Sequence, residues 1–252
     1  MPGMPSHNTL PHSNGSSPDL TLEAGARRSA RTRIKICGLT RDADVAAAVE
    51  AGADAIGFVL YPASPRAVDL QRAVSLARTL PAFVTPVLLF VNAQRAEVDA
   101  ATRALPQAVL QFHGDETPAE CGAAGRPYLR AVRMTPELDL LNFASRFFNA
   151  QALLLDAPVE GWGGGGKVFD WSLIAADLPH DVRSRLVLSG GLNPANVIDG
   201  VLHARPFAVD VSSGVEVGKG IKDAELMRRF CAAVRQADAR LATPPDPRNL
   251  TC

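Results

Sequence analysis

The chain has 252 residues, of which 47% are hydrophobic, enough to build a sizeable core in one domain. Lys and Arg together number 26, and so do Asp and Glu, so the formal net charge is zero and favours neither nucleic acid nor an anionic membrane as a partner. The N-terminus has no apolar signal core, and no apolar stretch reaches membrane-spanning length. The four cysteines are scattered without a C-x-x-C pair, which argues against zinc or a disulfide framework and predicts a reducing, cytoplasmic location.

Residues 1–31 differ in composition from the rest of the chain. They are rich in Pro, Ser, Gly and Asn and carry few large apolar side chains, so we predict a disordered tail. Arginines near its end would also fit a transit peptide, an alternative that Asp19 and Glu23 weaken. Residues 241–252 are predicted to form a flexible end, which leaves residues 32–240 as one folded domain.

Between these tails, strand-like and helix-like segments alternate eight times. The predicted strands are short apolar runs: RIKIC, DAIGFVL, PVLLFV, AVLQF, YLRAV, ALLLD, RLVLS and FAVDV. The predicted helices follow them in order: RDADVAAAVEAG, VDLQRAVSLARTL, AQRAEVDAATRAL, TPAECGAAG, PELDLLNFASRFF, FDWSLIAA, NPANVIDGVLH and KDAELMRRFCAAVRQADARL. Strict alternation predicts a parallel sheet, and eight units favour a closed (β/α)8 barrel over the alternative, a doubly wound open sheet.

A barrel of this kind carries its functional groups at the carboxyl ends of its strands, and phosphate is often held after strands seven and eight. Both of these predicted turns consist of small residues, which let backbone N–H groups approach an anion, and the first precedes a helix predicted to start near Asn193. The alternative is ordinary glycine in tight turns. The predicted phosphate-binding residues are Gly190, Gly191, Ser212, Ser213 and Gly214.

A glycine loop, GWGGGGK at residues 161–167, follows the sixth strand. Its spacing fits most of a nucleotide-binding P-loop, but Val168 stands where that motif needs Ser or Thr. A dinucleotide-binding pattern is equally weak because the preceding strand lies too far upstream. We therefore predict a mobile lid, with a flexible connector as the alternative.

Several motifs in this order together resemble phosphoribosylanthranilate isomerase. They are KICGLT, GADAIGFVLYPASPR, LFVN, QFHG, LLLD, GGGGKVFDW, LVLSGGLNPANV and PFAVDVSSGVE followed by KD, spanning about residues 32–238. The resemblance implies a (β/α)8 TIM barrel of the ribulose-phosphate-binding type. It also implies the Amadori rearrangement of N-(5-phosphoribosyl)anthranilate to 1-(2-carboxyphenylamino)-1-deoxyribulose 5-phosphate, the third step from chorismate to tryptophan. No metal and no cofactor is implied, and the expected partner is this small-molecule substrate alone, bound by a monomer or weak homodimer.

Two strand ends match the family's acid and base. The reaction needs an acid at the ring oxygen and a base at C2 of the sugar. Asp156 matches the acid, which must be partly desolvated so that its pKa rises; a turn former or helix cap is the alternative. Cys37 matches the base, which needs a lowered pKa or a nearby proton acceptor to act as thiolate; a buried apolar thiol is the alternative.

The resemblance assigns one substrate-binding residue, and the pattern of strand ends suggests three more. Arg66 matches the residue that holds the anthranilate carboxylate, with a solvated surface charge as the alternative. Gln111 and His113 line the same mouth, where His113 is expected as a pocket residue, or a structural one, rather than a second acid. Asp210 is expected to contact a substrate hydroxyl or to orient a neighbour, unless it forms an internal ion pair.

The sequence departs from the family pattern at two positions. Gly165 replaces a hydroxyl residue in the glycine loop, and Ala67 stands where an aromatic residue is frequent. Two rival hypotheses remain: a histidine-pathway phosphosugar isomerase, which would carry a carboxylate in place of Cys37, and a non-catalytic phosphate-binding barrel, which would need neither Cys37 nor Asp156.

Side-chain alternation makes a further prediction inside the barrel. Lys35 shares a face with Cys37 and should point inward one layer below it. The eighth strand adjoins the first in a closed barrel, so we expect Lys35 and Asp210 to form a buried ion pair that favours the Cys37 thiolate. The alternative is that Lys35 meets another carboxylate.

Overall fold

The computed structural model describes residues 31–158 and 168–243. The glycine loop at 161–167, most of the predicted tail and most of the predicted C-terminal end lie outside the described residues. Within those ranges no helix is long and apolar enough to cross a membrane. The described part begins at Arg31, whose guanidinium pairs with Asp54 at 2.5 Å.

Eight parallel strands close into a barrel in which each strand pairs with the next and the last pairs with the first. The prediction of a (β/α)8 barrel is therefore confirmed. The strands are β1 (Arg33–Cys37), β2 (Ala55–Val59), β3 (Thr85–Phe90), β4 (Val109–Phe112), β5 (Tyr128–Arg133), β6 (Ala152–Asp156), β7 (Leu186–Leu188) and β8 (Ala208–Val211).

Helices surround the barrel, and several begin at an Asp or Thr side chain that accepts a hydrogen bond from the first-turn backbone. They are α1 (Asp42–Ala51), α2 (Leu70–Ala77), α3 (Arg95–Ala104), α4 (Pro118–Ala123), α5 (Leu140–Arg146), α6 (His180–Arg183), α7 (Val197–Ala204) and α8 (Ala224–Ala242). The large apolar core lies between strands and helices, while a smaller cluster of Ala, Leu and Val fills the barrel itself. Strand residues alternate between these two cores, which is what fixes the inward-facing set.

Two predicted helix positions are wrong. The predicted sixth helix at residues 169–176 is only a 3-10 turn at Trp171–Leu173, and α6 instead begins after Pro179. The helix predicted near Asn193 begins four residues later, because the Asn196 side chain accepts from the Asn193 backbone and holds a turn there.

A β-hairpin that the sequence analysis did not predict follows β8. Its strands are β9 (Glu216–Gly218) and β10 (Ile221–Lys222). The hairpin packs on the segment after β1: Thr40 Oγ1 donates to the Gly220 carbonyl at 2.9 Å, and the Lys222 amide donates to Asp44 at 3.2 Å. These contacts place two hairpin side chains at the mouth of the barrel.

Candidate active site

Cys37 is the last residue of β1 and is 4% exposed. Its side chain packs inside the barrel end with Val59 and Leu89. Gly57, its partner on β2, provides the necessary space, since a Cβ there would lie 2.6 Å from the Cys37 Sγ. The thiol therefore lies where the barrel hypothesis requires a reactive group, at a carboxyl end of a strand.

Lys35 and Asp210 form the predicted ion pair below this thiol. They are register partners on β1 and β8, and Lys35 Nζ lies 2.7 Å from Asp210 Oδ1 with both side chains buried. Ser189 Oγ donates to the other Asp210 oxygen at 3.4 Å. The hypothesis of a buried pair is confirmed, whereas contact between Asp210 and a substrate hydroxyl stays a prediction.

The electrostatics of Cys37 differ from one expectation. Burial raises the pKa of the Cys37 thiol, and the charge of Lys35 acts in the opposite direction without overcoming it. Burial also disfavours the Lys35 cation, yet its attraction to Asp210 and Cys37 raises the pKa of the ammonium above its ordinary value. Lys35 therefore influences the thiol as predicted, but the thiol pKa is raised rather than lowered.

Asp156 ends β6 and is held by two partners. Its Oδ1 accepts from the Ala157 amide at 2.9 Å, and its Oδ2 lies 3.1 Å from His113 Nε2. His113 Nδ1 in turn lies 2.9 Å from Gln111 Nε2, and Gln111 is fully buried on β4. The sequence predicted that Gln111 and His113 share the barrel mouth, and the structure joins them in one chain of hydrogen bonds that ends on Asp156.

This chain has one unsatisfied atom. Gln111 Oε1 is buried and has no hydrogen-bond partner. Rotating the amide by half a turn would present this oxygen to His113 Nδ1, which would then carry the ring proton and leave Nε2 free to accept from a protonated Asp156. Gln111 can thus select the tautomer of His113 and, through it, the direction of the hydrogen bond to Asp156.

Arg66 is not the solvated surface charge that was the alternative. It is 8% exposed, and its Nε and Nη2 both donate to Glu216 at 2.8 Å. Its stem passes over Gly38, where a Cβ would lie 2.5 Å from the Arg66 Cδ. The guanidinium is therefore oriented beside the end of β1, with two of its three nitrogens engaged by Glu216.

Glu216 also accepts from Lys222 Nζ at 2.7 Å. Lys222 donates further to the carbonyl of Ser212 at 3.0 Å and to its hydroxyl at 3.3 Å. Ser212 Oγ donates to the Cys37 carbonyl at 3.0 Å, which links the hairpin to the strand that carries the thiol. Ser212, predicted as a phosphate ligand, here joins β8, β10 and β1.

The two predicted phosphate turns meet at the barrel mouth. Gly190 and Gly191 have φ of 74° and 64°, which favour glycine, and a Cβ on Gly190 would lie 2.6 Å from the Ala157 amide nitrogen. A Cβ on Gly214 would lie 1.9 Å from the Leu192 carbonyl oxygen. Phosphate binding by these turns stays a prediction, whereas the structure shows that the turn after β8 packs directly against the turn after β7.

Three residues of this site were not predicted from the sequence. Glu216 and Lys222 belong to the motif that ends in GVE and KD, and that spacing was the available signal. Gly57 carried no signal at all, because its role depends on the neighbouring strand.

A thiol and a carboxylate on different strands, both at the carboxyl ends of a closed parallel barrel, define this chain as a (β/α)8-barrel enzyme. The family model described as N-(5'phosphoribosyl)anthranilate (PRA) isomerase matches residues 34–233. The chain belongs to that family.

Individual relatives agree over almost their whole length. The N-(5'-phosphoribosyl)anthranilate isomerases of Methylibium petroleiphilum and Leptothrix cholodnii are each 70% identical to this chain, covering 84% of it and 98% and 94% of themselves. The crystal structure of the Thermotoga maritima enzyme superposes with a TM-score of 0.73 at 40% identity, covering 81% of this chain and 99% of its own. The resemblance found in the sequence motifs is confirmed, and with it the class of enzyme, an isomerase.

One solved structure bears on the ligand. A phosphoribosyl anthranilate isomerase in complex with reduced 1-(o-carboxyphenylamino)-1-deoxyribulose 5-phosphate superposes with a TM-score of 0.70 at 38% identity, covering 81% of this chain and 99% of that one. That relative therefore binds a small phosphorylated sugar derivative at a barrel of the same fold.

Proposed function

We propose that this chain catalyses the Amadori rearrangement of N-(5'-phosphoribosyl)anthranilate with Cys37 as base and Asp156 as acid. The observation that carries the assignment is their placement: β1 and β6 are separated by two strands in the closed order, so the two groups face the mouth from different sides. An acid and a base on different sides of one sugar are what ring opening and proton removal from C2 require.

The acid step depends on the Gln111–His113–Asp156 chain. Protonated Asp156 gives its proton to the furanose ring oxygen, which breaks the bond from that oxygen to C1 and leaves a protonated imine to the anthranilate nitrogen. His113, 3.1 Å from Asp156, holds the carboxyl group in place and can share its proton. In this proposal His113 supports the acid from within the substrate pocket.

The base step follows at C2. The Cys37 thiolate takes the C2 proton, and the electron pair moves into the imine to give an enolamine, which tautomerises to the aminoketone product. The Lys35 ammonium stabilises the thiolate against the cost of burial. No group from outside the chain is needed for the proton balance of this step.

The substrate's two anions have candidate partners on either side of Cys37. Arg66, oriented by Glu216, is the proposed partner of the anthranilate carboxylate, because a guanidinium can bind a planar carboxylate with a further N–H. The turns that carry Gly191 and Ser213 are proposed to hold the phosphate, since small residues and the start of a 3-10 turn offer backbone N–H groups. Asp210 remains a proposed contact of a sugar hydroxyl.

Loss of substrate fluorescence on addition of the purified full-length chain tests the activity. We expect turnover without added metal or cofactor. No turnover of this substrate, together with turnover of the bisphosphorylated aminoaldose of histidine synthesis, would favour the rival isomerase, and no turnover of either would favour a non-catalytic barrel.

We further propose that the chain is cytoplasmic and a monomer or weak homodimer. The described cysteines, Cys37, Cys121 and Cys231, are all free thiols, which suits a reducing compartment. Phe83, in the connection before β3, is a fully exposed aromatic side chain with φ of 75°, which a weak contact between two copies would cover. Sedimentation velocity over a range of concentrations would show a monomer or a concentration-dependent dimer, and a stable higher oligomer would contradict the proposal.

A further inference from the structure

Five buried charged side chains surround the strand end that carries Cys37. Three are cations and two are carboxylates. Lys35 pairs with Asp210 at 2.7 Å, and Glu216 contacts Arg66 at 2.8 Å and Lys222 at 2.7 Å. Each side chain is at most 9% exposed. They are Lys35, Asp210, Arg66, Glu216 and Lys222.

With all three cations protonated, the cluster carries one surplus positive charge. Lys35 and Asp210 neutralise each other, whereas the single charge of Glu216 is shared between Arg66 and Lys222. Lys222 is the more deeply buried of these two cations, with a side chain that is 0% exposed.

No further carboxylate among the described residues balances this charge. Asp44, which accepts from the Lys222 backbone amide, is already paired with Arg41 at 2.6 Å. A buried cation without a matching anion is costly, so an anion at this position would stabilise the cluster.

Ser212 connects Lys222 to the backbone of the residue that carries the thiol. Lys222 Nζ donates to both oxygens of Ser212, and Ser212 Oγ donates to the Cys37 carbonyl. The same attraction is seen from both partners: burial most strongly raises the pKa of the thiol, and Lys35 and Lys222 counteract it. Burial likewise lowers the pKa of Lys222, and Cys37 counteracts that change.

We propose that Lys222 is a positioning residue whose charge favours ionisation of Cys37, so that the thiolate balances the surplus positive charge of the cluster. The charged groups that act on Cys37 are Lys35 on β1, Asp210 on β8 and Lys222 on β10, together with Arg66 in the loop after β2. Glu216 on β9 joins Arg66 to Lys222. This inference rests on the proposed role of Cys37 as the base, and it assigns to the hairpin a function in that step.

A competing account gives the surplus charge to the substrate carboxylate alone. Lys222 would then strengthen the pull of Arg66 on the anthranilate and leave the thiol of the free enzyme unaffected. The two accounts differ in a property of the enzyme without substrate, the pH at which Cys37 ionises.

The test is the pH dependence of iodoacetamide alkylation of Cys37 in the free enzyme, followed by mass spectrometry of its peptide. Lys222→Gln keeps hydrogen-bond donors but removes the charge, so we expect its alkylation midpoint at higher pH. If the midpoint rises by about one pH unit, the thiolate population at a given lower pH falls about tenfold. Glu216→Gln removes a negative charge, so its midpoint should move to lower pH. Lys222→Arg keeps the charge and should stay near the wild type.

Opposite changes of the midpoint in the two Gln variants support the proposal, because loosening of the site would move both in the same direction. An unchanged midpoint in Lys222→Gln, or changes of one sign in both variants, would overturn it. If Lys222→Gln does not fold, Lys222→Met provides the same charge removal, and Glu216→Gln alone still has a predicted sign. The readout needs no turnover, so it is independent of whether the proposed isomerase activity is observed.

Discussion

At the scale of single residues, Cys37 must ionise to act as the base, yet its burial disfavours the charged thiolate. Burial raises its pKa, so the thiolate that the base step needs becomes abundant only as the pH rises. Two buried cations, Lys35 and Lys222, reduce this cost without removing it. Ionisation of Cys37 is therefore favoured by neighbouring charges rather than by contact with water.

The pH profile of catalysis should report this balance. We expect kcat/KM to rise on the alkaline side with a midpoint above the ordinary thiol value of about 8.5, because the free enzyme must lose the Cys37 proton. Steady-state kinetics between neutral pH and pH of about 10 measure it. A kcat/KM that begins to rise well below neutral pH would contradict the assignment of Cys37 as the base.

The other buried thiols serve as internal controls for labelling. Burial raises the pKa of Cys121 to about 12 and that of Cys231 to about 11. Neither should be alkylated in the folded enzyme over the range in which Cys37 reacts.

Gly190 is the residue for which a small substitution should matter most. Gly190→Ala places a Cβ 2.6 Å from the Ala157 amide and 3.1 Å from Asp156 Oδ1, at a φ of 74°. We expect a lower melting temperature and at least tenfold lower kcat, because the acid must shift. Gly125→Ala is the matched control: it has a φ of 60° with nothing within 4 Å, so it should cost only about 1 kcal/mol of stability and no activity. Equal kcat in both variants would contradict the assigned role.

At the scale of elements, the strands were predictable because each is a short, mainly apolar run and the runs recur at regular spacing. The ion pair between Lys35 and Asp210 was also predictable, because barrel closure fixes which strands are neighbours. The hairpin of β9 and β10 was not predicted, because it is held by contacts with the distant Thr40 and Asp44 rather than by its own pattern.

The misplaced helices have local causes. Around Trp171 the Asp170 side chain caps a single 3-10 turn, and the backbone is extended again at Ile174. Before α7, the Asn196 side chain donates to the Gly191 carbonyl and accepts from the Asn193 amide, which fixes a turn that apolar periodicity does not reveal.

The packing of the two late turns gives a test at this scale. Gly214→Ala would place a Cβ 1.9 Å from the Leu192 carbonyl oxygen, so the turns after β7 and β8 must separate. If these turns hold the phosphate, KM should rise at least tenfold with a smaller change in kcat. Gly218→Ala, whose Cβ has its nearest neighbour at 4.0 Å, should behave as the wild type. An unchanged KM in Gly214→Ala would place the phosphate elsewhere.

At the scale of the whole molecule, Arg31 and Thr32 hold the segment before β1 against the rest of the barrel. Arg31 pairs with Asp54, and Thr32 donates through its amide and hydroxyl to Asp238 at 2.8 and 2.7 Å. These contacts connect the start of β1 to the loop before β2 and to α8.

Deletion of residues 1–30 should therefore leave the melting temperature and kcat/KM unchanged, because the contacts from Arg31 and Thr32 remain. A matched deletion of residues 1–32 should lower the melting temperature, because it removes the contacts of Arg31 with Asp54 and of Thr32 with Asp238. Thermal unfolding of the two truncated chains makes the comparison. A large loss of stability on removal of residues 1–30 alone would show that the predicted tail is part of the fold.

The central claim is that Cys37 and Asp156 act as base and acid on one substrate. Steady-state kinetics of Cys37→Ala and Asp156→Asn with N-(5'-phosphoribosyl)anthranilate test it most directly. Because both groups act in the transition state, kcat should fall by roughly 10²-fold or more in each variant while KM stays within a few-fold of the wild type. Near-normal kcat in either variant, with the fold intact by circular dichroism, would contradict the assignment.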